Sequence, residues 1–329
     1  MHFGAPSMTF RYDEIGNRLK AYRLGSGLSA DEIAKQIGIS RTALYRFEKG
    51  ELAKIETLER LAELLGVSIP TLLGVGIEYI PSAISYFERM RQIEETAEHI
   101  EMLSGPISFL LASDQFQETL RDVLTENVTK NVVNRERALN DVPKVMEILG
   151  ERKALYRRRR PTIVNLMSAF EIERFLHHGF IGHNGLPEEI LIKRKALARA
   201  EIEHFTNLIE EQPIGVQIGI VTDTLPHTGF QLFRQPDRKI LVLSPFRLGS
   251  EPNVRVGVAM ITSAPDALTL HQNAINDMWG RALKGQAAAN CLRHLLANDG
   301  KPLDVEDLRS LGNVRTKRPS RGKPRASLM

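Results

Sequence analysis

The sequence predicts three structural parts and a tail: an all-α N-terminal domain, a helical linker, and a mixed α/β C-terminal domain ahead of a basic extension. Three observations carry this. Residues 15–73 repeat short helical apolar spacings, each closed by a glycine or opened by a serine. Residues 82–160 keep a helical period over longer runs. From Thr162 on, short apolar stretches alternate with turn residues, and two long amphipathic runs separate them. The expected boundaries are 10–76, 77–160, 161–300 and 301–329. A chain of 329 residues has room for two or three domains, each with its own core.

The first part is the most legible. Leu28, Ile33, Ala34 and Ile37 line one face of a helix from about Ala30 to Ile37. Ser29 stands at its N-cap with Glu32 three residues on, a capping-box pattern. Gly38 suits a left-handed C-cap. Ile39 returns to the core, Ser40 caps a second helix, and Ala43, Leu44 and Phe47 form its buried face until Gly50. Two short helices joined by Gly-Ile-Ser have the spacing of a helix-turn-helix, which presents its second helix to a DNA groove.

That helix leaves Ser40, Arg41, Thr42, Tyr45 and Arg46 outward. Arg is the usual bidentate partner of guanine, and Thr can bond a base edge or set its methyl against thymine. Tyr45 suits sugar, phosphate or a thymine methyl. Lys35, Lys49 and Lys54 flank the face and suit phosphates, which position a reader without carrying sequence information. Backbone amides at the start of the Ala30 helix are expected to meet a phosphate as well. The same outward residues would also serve as a solvated face on a helical protein-binding domain.

Helices on either side complete the module. Ile15, Leu19 and Tyr22 precede it at helical spacing; Leu58, Leu61, Ala62 and Leu65 follow it, with Gly66 as a stop and Ser68 and Pro70 opening a last turn. From Ile15 to Leu73 the chain resembles the Xre family, the phage-repressor-like Cro/C1-type helix-turn-helix module. The resemblance rests on Leu28, Ser29, Glu32, Ile33, Ala34, Gly38, Ser40, Leu44, Glu48, Gly50, Leu58, Leu61, Ala62 and the run Leu65-Gly66-Val67-Ser68. It implies base reading by the outward residues of 40–46 and a structural role for Glu48, tying helices together. Where the family often has a Gln that touches phosphate, this chain has Ala30. Some relatives serve toxin systems or bind proteins, so a protein-binding or toxin-system role is the alternative.

In the second part, Ser82 to Leu103 reads as one long helix. Tyr86, Met90, Ile93, Ala97 and Ile100 follow seam spacing and call for a partner, either a second copy, which would make the stripe a dimerisation seam, or another helix of the same chain. Further helix is expected over 109–123, a polar connector over 127–140, and helix over 142–149 stopping at Gly150. The basic run Arg157 to Arg160 reads as a solvated face or an anion grip.

In the third part, strands are expected at 163–172, 216–223 and 254–263. A hairpin over 229–246 turns at Gln235-Pro-Asp-Arg238, and helices span 186–210 and 265–297. From Pro161 to Leu283, and most clearly around Asn276 to Ala282, the chain weakly resembles the phospholipase-D-like sensory domains behind some bacterial helix-turn-helix modules. Catalytic members pair a His with a Lys two residues on; here Asn273 follows His271 at that distance. The resemblance therefore implies sensing of an effector, whose binding residues the sequence does not mark, rather than catalysis.

Composition excludes other classes. A lone Cys291 permits neither an internal disulfide nor a cysteine-rich zinc site. His177, His178 and His183 are close, but two are adjacent and point apart, so no metal is expected. No phosphate loop, dinucleotide fingerprint or nucleophile elbow occurs, and neither an enzyme nor a cofactor is expected; an enzyme with a phospholipase-D-like domain remains the lesser alternative. No secretory leader and no long apolar span is visible, which predicts a cytoplasmic protein away from membranes. The formal charge is +4, but the six bases among Arg315, Lys317, Arg318, Arg321, Lys323 and Arg325 leave the body near −2. Local arrangement, not global basicity, therefore carries the expectation of double-stranded DNA as partner. The tail is expected to be disordered, and a homodimer modulated by an effector is expected, with a small molecule, a nucleotide or a partner protein all open.

Overall fold

The structure is a computed structural model that describes residues 11–51, 53–223, 229–249 and 251–298. The loose start expected at residues 1–9, His227 and the basic tail at 301–329 lie outside the described residues.

Five helices open the chain: α1 (Tyr12–Ser26), α2 (Ala30–Ile37), α3 (Arg41–Glu48), α4 (Ile55–Leu65) and α5 (Ile69–Leu73). Left-handed glycines end four of them, at Gly27, Gly38, Gly66 and Gly74. Serine side chains cap α2, α3 and α5. These short-range signals fix where each helix stops, while Leu19, Ile33, Leu44, Leu61 and Leu72, each fully buried, fix how they pack.

The rest is one eight-stranded mixed sheet with helices on both faces, as the α/β reading predicts. In chain order come β1 (Ile77–Ile80), α6 (Ala83–Glu94), β2 (His99–Leu103), α7 (Asp114–Glu126) and α8 (Arg135–Arg159). Then follow β3 (Thr162–Ser168), α9 (Ala169–His178), α10 (Glu188–Glu211) and β4 (Val216–Val221). β5 (Phe230–Arg234), β6 (Lys239–Leu243), β7 (Ala259–Thr262), α11 (Pro265–Arg281), β8 (Leu283–Lys284) and α12 (Gln286–Ala297) complete it. The strand order is β1-β7-β6-β5-β2-β3-β4-β8. β2, β3 and β4 run parallel, and every other pairing is antiparallel. The β5–β6 turn forms as predicted, with Gln235 N–H donating to the Arg238 carbonyl at 2.9 Å.

Alternation along the strands sorts side chains between two layers. Ile163 and Met167 of β3, Ile218 and Ile220 of β4 and Phe233 of β5 face a large core shared with α9, α10 and α12. Leu166, Val221, Phe230, Leu232 and Leu241 face the other side, where Ile275 and Met278 of α11 cover them. The large core is continuous from Leu19 and Leu44 in the first five helices to Phe205 and Leu292.

The structure corrects the middle of the chain. Residues 82–103 are not one helix: α6 ends at Glu94 and β2 begins at His99. Tyr86, Met90 and Ile93 lie on α6, but Ile100 continues their spacing by coincidence. It belongs to a central strand bonded to β3 and β5, whose pairing overrides the local helical period. The supposed dimer seam is buried in its own chain: Tyr86, Met90, Ile93, Ala97 and Ile100 are each at most 3% exposed. Residues 77–160 are therefore not a linker, and the sheet domain begins at β1 rather than at residue 161. Helix α8 passes through both Pro143 and Gly150, since Val142, Val145, Met146 and Leu149 are buried against their neighbours. The strand expected at 254–263 shrinks to β7, and the helix expected at 265–297 is broken by β8.

Candidate nucleic-acid interface

The second helix of the helix-turn-helix, α3, is built from its caps upward. Ser29 Oγ accepts from Glu32 N–H at 3.2 Å, and the Glu32 carboxylate accepts from Ser29 N–H at 2.7 Å, closing the capping box. Those bonds from Ser29 hold the Glu32 carboxyl below its ordinary range. Gly38 turns the chain at φ +70°, and Ser40 Oγ accepts from Ala43 N–H at 3.0 Å to start α3. Leu44 and Glu48 are buried, while Ala43 and Phe47 are half-buried. Glu48 ties the module together as the family resemblance implies: its carboxylate is gripped by both Nε and Nη2 of Arg23 on α1. Gly16 lets α1 approach this corner, because a Cβ there would sit 2.6 Å from the Phe47 and Glu48 carbonyl oxygens.

Locked this way, α3 turns Ser40, Arg41, Thr42 and Arg46 to the surface, with Tyr45 half-buried beside them. Arg41 and Tyr45 come together: Nε and Nη2 of Arg41 donate to Tyr45 Oη at 3.3 Å, and the guanidinium lies 5.4 Å from the ring centroid. Arg41 Nη1 also meets Asp31 at 3.2 Å, and Arg46 Nε donates to Glu51 at 2.6 Å. Both arginines are pushed above their ordinary range, Arg41 first by Tyr45 and then by Asp31, Arg46 by Glu51. Exposed pairs of this kind are held loosely and exchange for a better partner. A phosphate or a guanine edge, offering two acceptors to a planar fork, is such a partner.

The flanking lysines are exposed as expected: Lys35 in the last turn of α2, Lys49 at the C-cap of α3 and Lys54 at the N-cap of α4. The start of α2 is less suited to a phosphate than its amides suggest, because Asp31 and Glu32 occupy its first turn. Sequence reasoning missed Arg23, Asp31 and Glu51 as partners; only their opposite charge marked them, and their contacts span up to 25 residues. The basic run at Arg157–Arg160 is exposed at the end of α8, with Arg157 paired to Asp114.

The module is also clamped to the sheet domain along α1. Glu14 pairs with Arg238 in the β5–β6 turn at 2.5 Å. Buried Glu78 of β1 accepts from Arg89 Nε at 2.8 Å, Arg89 Nη2 at 3.1 Å and Arg18 Nε at 3.2 Å. Tyr22 Oη donates to the Tyr79 carbonyl at 3.0 Å, Gln92 to the Asn17 carbonyl at 3.0 Å, and Lys20 meets Glu88 at 3.3 Å. Burial pushes the Glu14 carboxyl up, but Arg89, Arg238 and Arg18 outweigh it and leave the group below its ordinary range. Gly74 admits this cluster, since a Cβ there would sit 2.4 Å from the Arg18 guanidinium.

Fold and site together define a helix-turn-helix domain fused to a mixed α/β body. Residues 14–73 match the family described as "Helix-turn-helix domain", which spans these five helices and less than a quarter of the chain. Among solved structures, the chain is similar to TrmBL2, described as an archaeal chromatin protein with a novel mode of DNA binding. That match has 10% identity over 82% of this chain and 93% of that one, with a TM-score of 0.28, too low to define a shared fold. Among the described residues, no group of His, Cys, Asp and Glu is placed to hold a metal ion, and no helix is long and apolar enough to cross a membrane.

Proposed function

We propose that this protein is a sequence-specific DNA-binding transcriptional regulator of the Xre type, whose α3 enters the major groove. One observation carries the reading: α3 is capped by Ser40 and locked by Leu44 and Glu48, yet presents Arg41, Thr42 and Arg46 as one exposed face with Tyr45 half-buried beside them. In the complex, Arg41 and Arg46 exchange Asp31 and Glu51 for base edges, while Lys35, Lys49 and Lys54 take phosphates. The protein acts as a homodimer on an inverted repeat, its readers about one helical turn apart. Burial of the 86–100 stripe means that the copies pair through another surface.

The sheet domain is, in this proposal, a non-catalytic phospholipase-D-like sensor that responds to an effector. It supplies no catalytic step, uses no cofactor, and works in the cytoplasm. Support for signalling comes from the clamp on α1, through which a shift in the sheet domain reaches α3. Selection of bound fragments from randomised DNA tests the reading, with wild type beside Arg41→Ala/Arg46→Ala. The expected result is an enriched palindrome that the variant loses. Equal enrichment by both proteins, or none by either, rejects base reading by α3 and favours a protein-contact role for the module.

A further inference from the structure

A cavity of about 610 Å³ opens between the reader and the sheet domain. Gly25 of α1 and the start of α6 form one wall; the 128–134 connector, the first turns of α8 and the 254–256 loop form the others. This volume lies within the usual range for small-molecule sites. Its floor is apolar, with Ile84, Val142 and Val145 all buried. At its mouth two valines stand unusually open, Val133 at 85% and Val256 at 69% exposure. The charged lining residues are Arg137, Arg255 and a single carboxylate, Asp141. Asp141 is already held by Lys144 at 3.2 Å, closer than its 4.0 Å to Arg137. Asn134, beside the exposed valine, holds a left-handed backbone at φ +54°, a conformation a non-glycine residue adopts at some cost.

Apolar floor, open valines and two guanidinium groups in one lining, Arg137 and an Arg255 whose Nε donates to Asn127 Oδ1 at 3.1 Å, describe one ligand chemistry. We propose that this cavity is the effector site and that its ligand is a small organic carboxylate with an apolar body. The carboxylate meets Arg137 and Arg255, and the body covers the valines. The inference rests on the regulator reading and names its regulatory site.

Arg137 makes the connection to the reader. Its Nη2 donates to the carbonyl of Ser26, the last residue of α1, at 3.1 Å. Three residues later Ser29 starts the capping box of α2. A ligand carboxylate competes for that guanidinium, loosens the α1–α2 turn and weakens operator binding.

The test is calorimetric titration of the full chain, without DNA, with hexanoate, octanoate and decanoate and with the matching alcohols. Saturable binding that tightens with chain length, and is about tenfold stronger for each carboxylate than for its alcohol, is expected. Arg137→Gln/Arg255→Gln should remove that tenfold preference while keeping alcohol binding, and Val132→Trp should abolish both by filling the cavity. Melting curves of each variant show that it is folded. No saturable binding by any carboxylate, or a preference that survives the double arginine variant, overturns the proposal. Carboxylate binding by a protein that fails the DNA selection sinks the regulator reading alone. Carboxylate binding that leaves operator affinity unchanged overturns the assignment of the cavity as the effector site.

Discussion

Replacing Glu78 by Gln tests whether the reader is held to the sheet domain by charge. The carboxylate is 3% exposed and accepts from Arg89 twice and from Arg18, while Tyr22 Oη, whose proton goes to the Tyr79 carbonyl, lies 3.4 Å away. The amide keeps the shape but offers one acceptor oxygen and no charge. Two buried guanidinium groups then share Glu14, which lies 3.7 Å from each. Breaking a buried pair from one side costs about 3–5 kcal/mol; the remaining Glu14 places Glu78→Gln near the lower end, about 3 kcal/mol. That is roughly a hundredfold in the folding equilibrium, read as a lower urea midpoint at unchanged slope. Glu78→Met/Arg89→Met removes charge from both sides, and a double-mutant cycle should return a coupling of about 2 kcal/mol or more. A loss under about 1 kcal/mol for Glu78→Gln, with no coupling in the cycle, would refute the idea that these charges fasten the two parts.

Four more outcomes follow from the same structure. Arg46→Ala should leave the melting temperature nearly unchanged, since its pair with Glu51 is exposed, yet lower discrimination between operator and competitor DNA about ten- to hundredfold in a binding titration. Lys49→Ala should weaken all DNA sequences alike and reduce the slope of log affinity against log salt by about one. Glu48→Ala leaves half-buried Arg23 without its carboxylate and should cost about 2 kcal/mol of stability by chemical denaturation. Glu14 and Glu88 are both held below the ordinary value of 4.5; burial alone would raise each, but Arg89, Arg238 and Arg18 around Glu14, and Arg91 and Lys20 around Glu88, prevail. Their stabilisation is complete above that value and is lost as pH falls through their depressed values. Melting temperature should therefore drop below about pH 4.5, less steeply in Glu14→Gln, and an unchanged slope in that variant would exclude Glu14 from the effect.

What was legible in the sequence was local. Ser29 with Glu32, Gly38, Ser40 and Gly66 each determine a helix end within a few residues, so α2, the start of α3 and the end of α4 were placed almost to the residue, while α1 was located without its ends. The Gln235–Arg238 hairpin turn was equally local. The outward face of α3 followed from the burial of Leu44 and its neighbours. β2 was not legible, because what makes residues 99–103 a strand is pairing with β3 and β5, more than 60 residues away in sequence. Without that knowledge Ile100 completes a plausible helical stripe. The same ignorance turned α6 into a dimer seam, since periodicity shows that a face is apolar and not what covers it. Gly150 predicted a stop that long-range packing of α8 overrides. The clamp was least legible of all: Glu14, Arg18, Glu78 and Arg89 look like solvated charges until the fold brings them together.

That clamp limits how freely this reader can be exchanged. Many modular chains tolerate shuffling because the seam between modules is wet and indifferent to its neighbour. Here a module cut at the Gly74–Gly76 joint would carry away half of an ionic lock. The body left behind would keep Arg89 and Glu78 without Arg18 and Glu14. A transplanted module from another chain would have to bring matching charges at those two places, and a glycine where Arg18 passes. If α3 reads DNA as proposed, heritable change in DNA preference is easiest on its outward face, where Arg41, Thr42 and Arg46 can vary without touching the lock. Substitutions elsewhere on either half leave the lock intact, but only while α1 keeps the same seat.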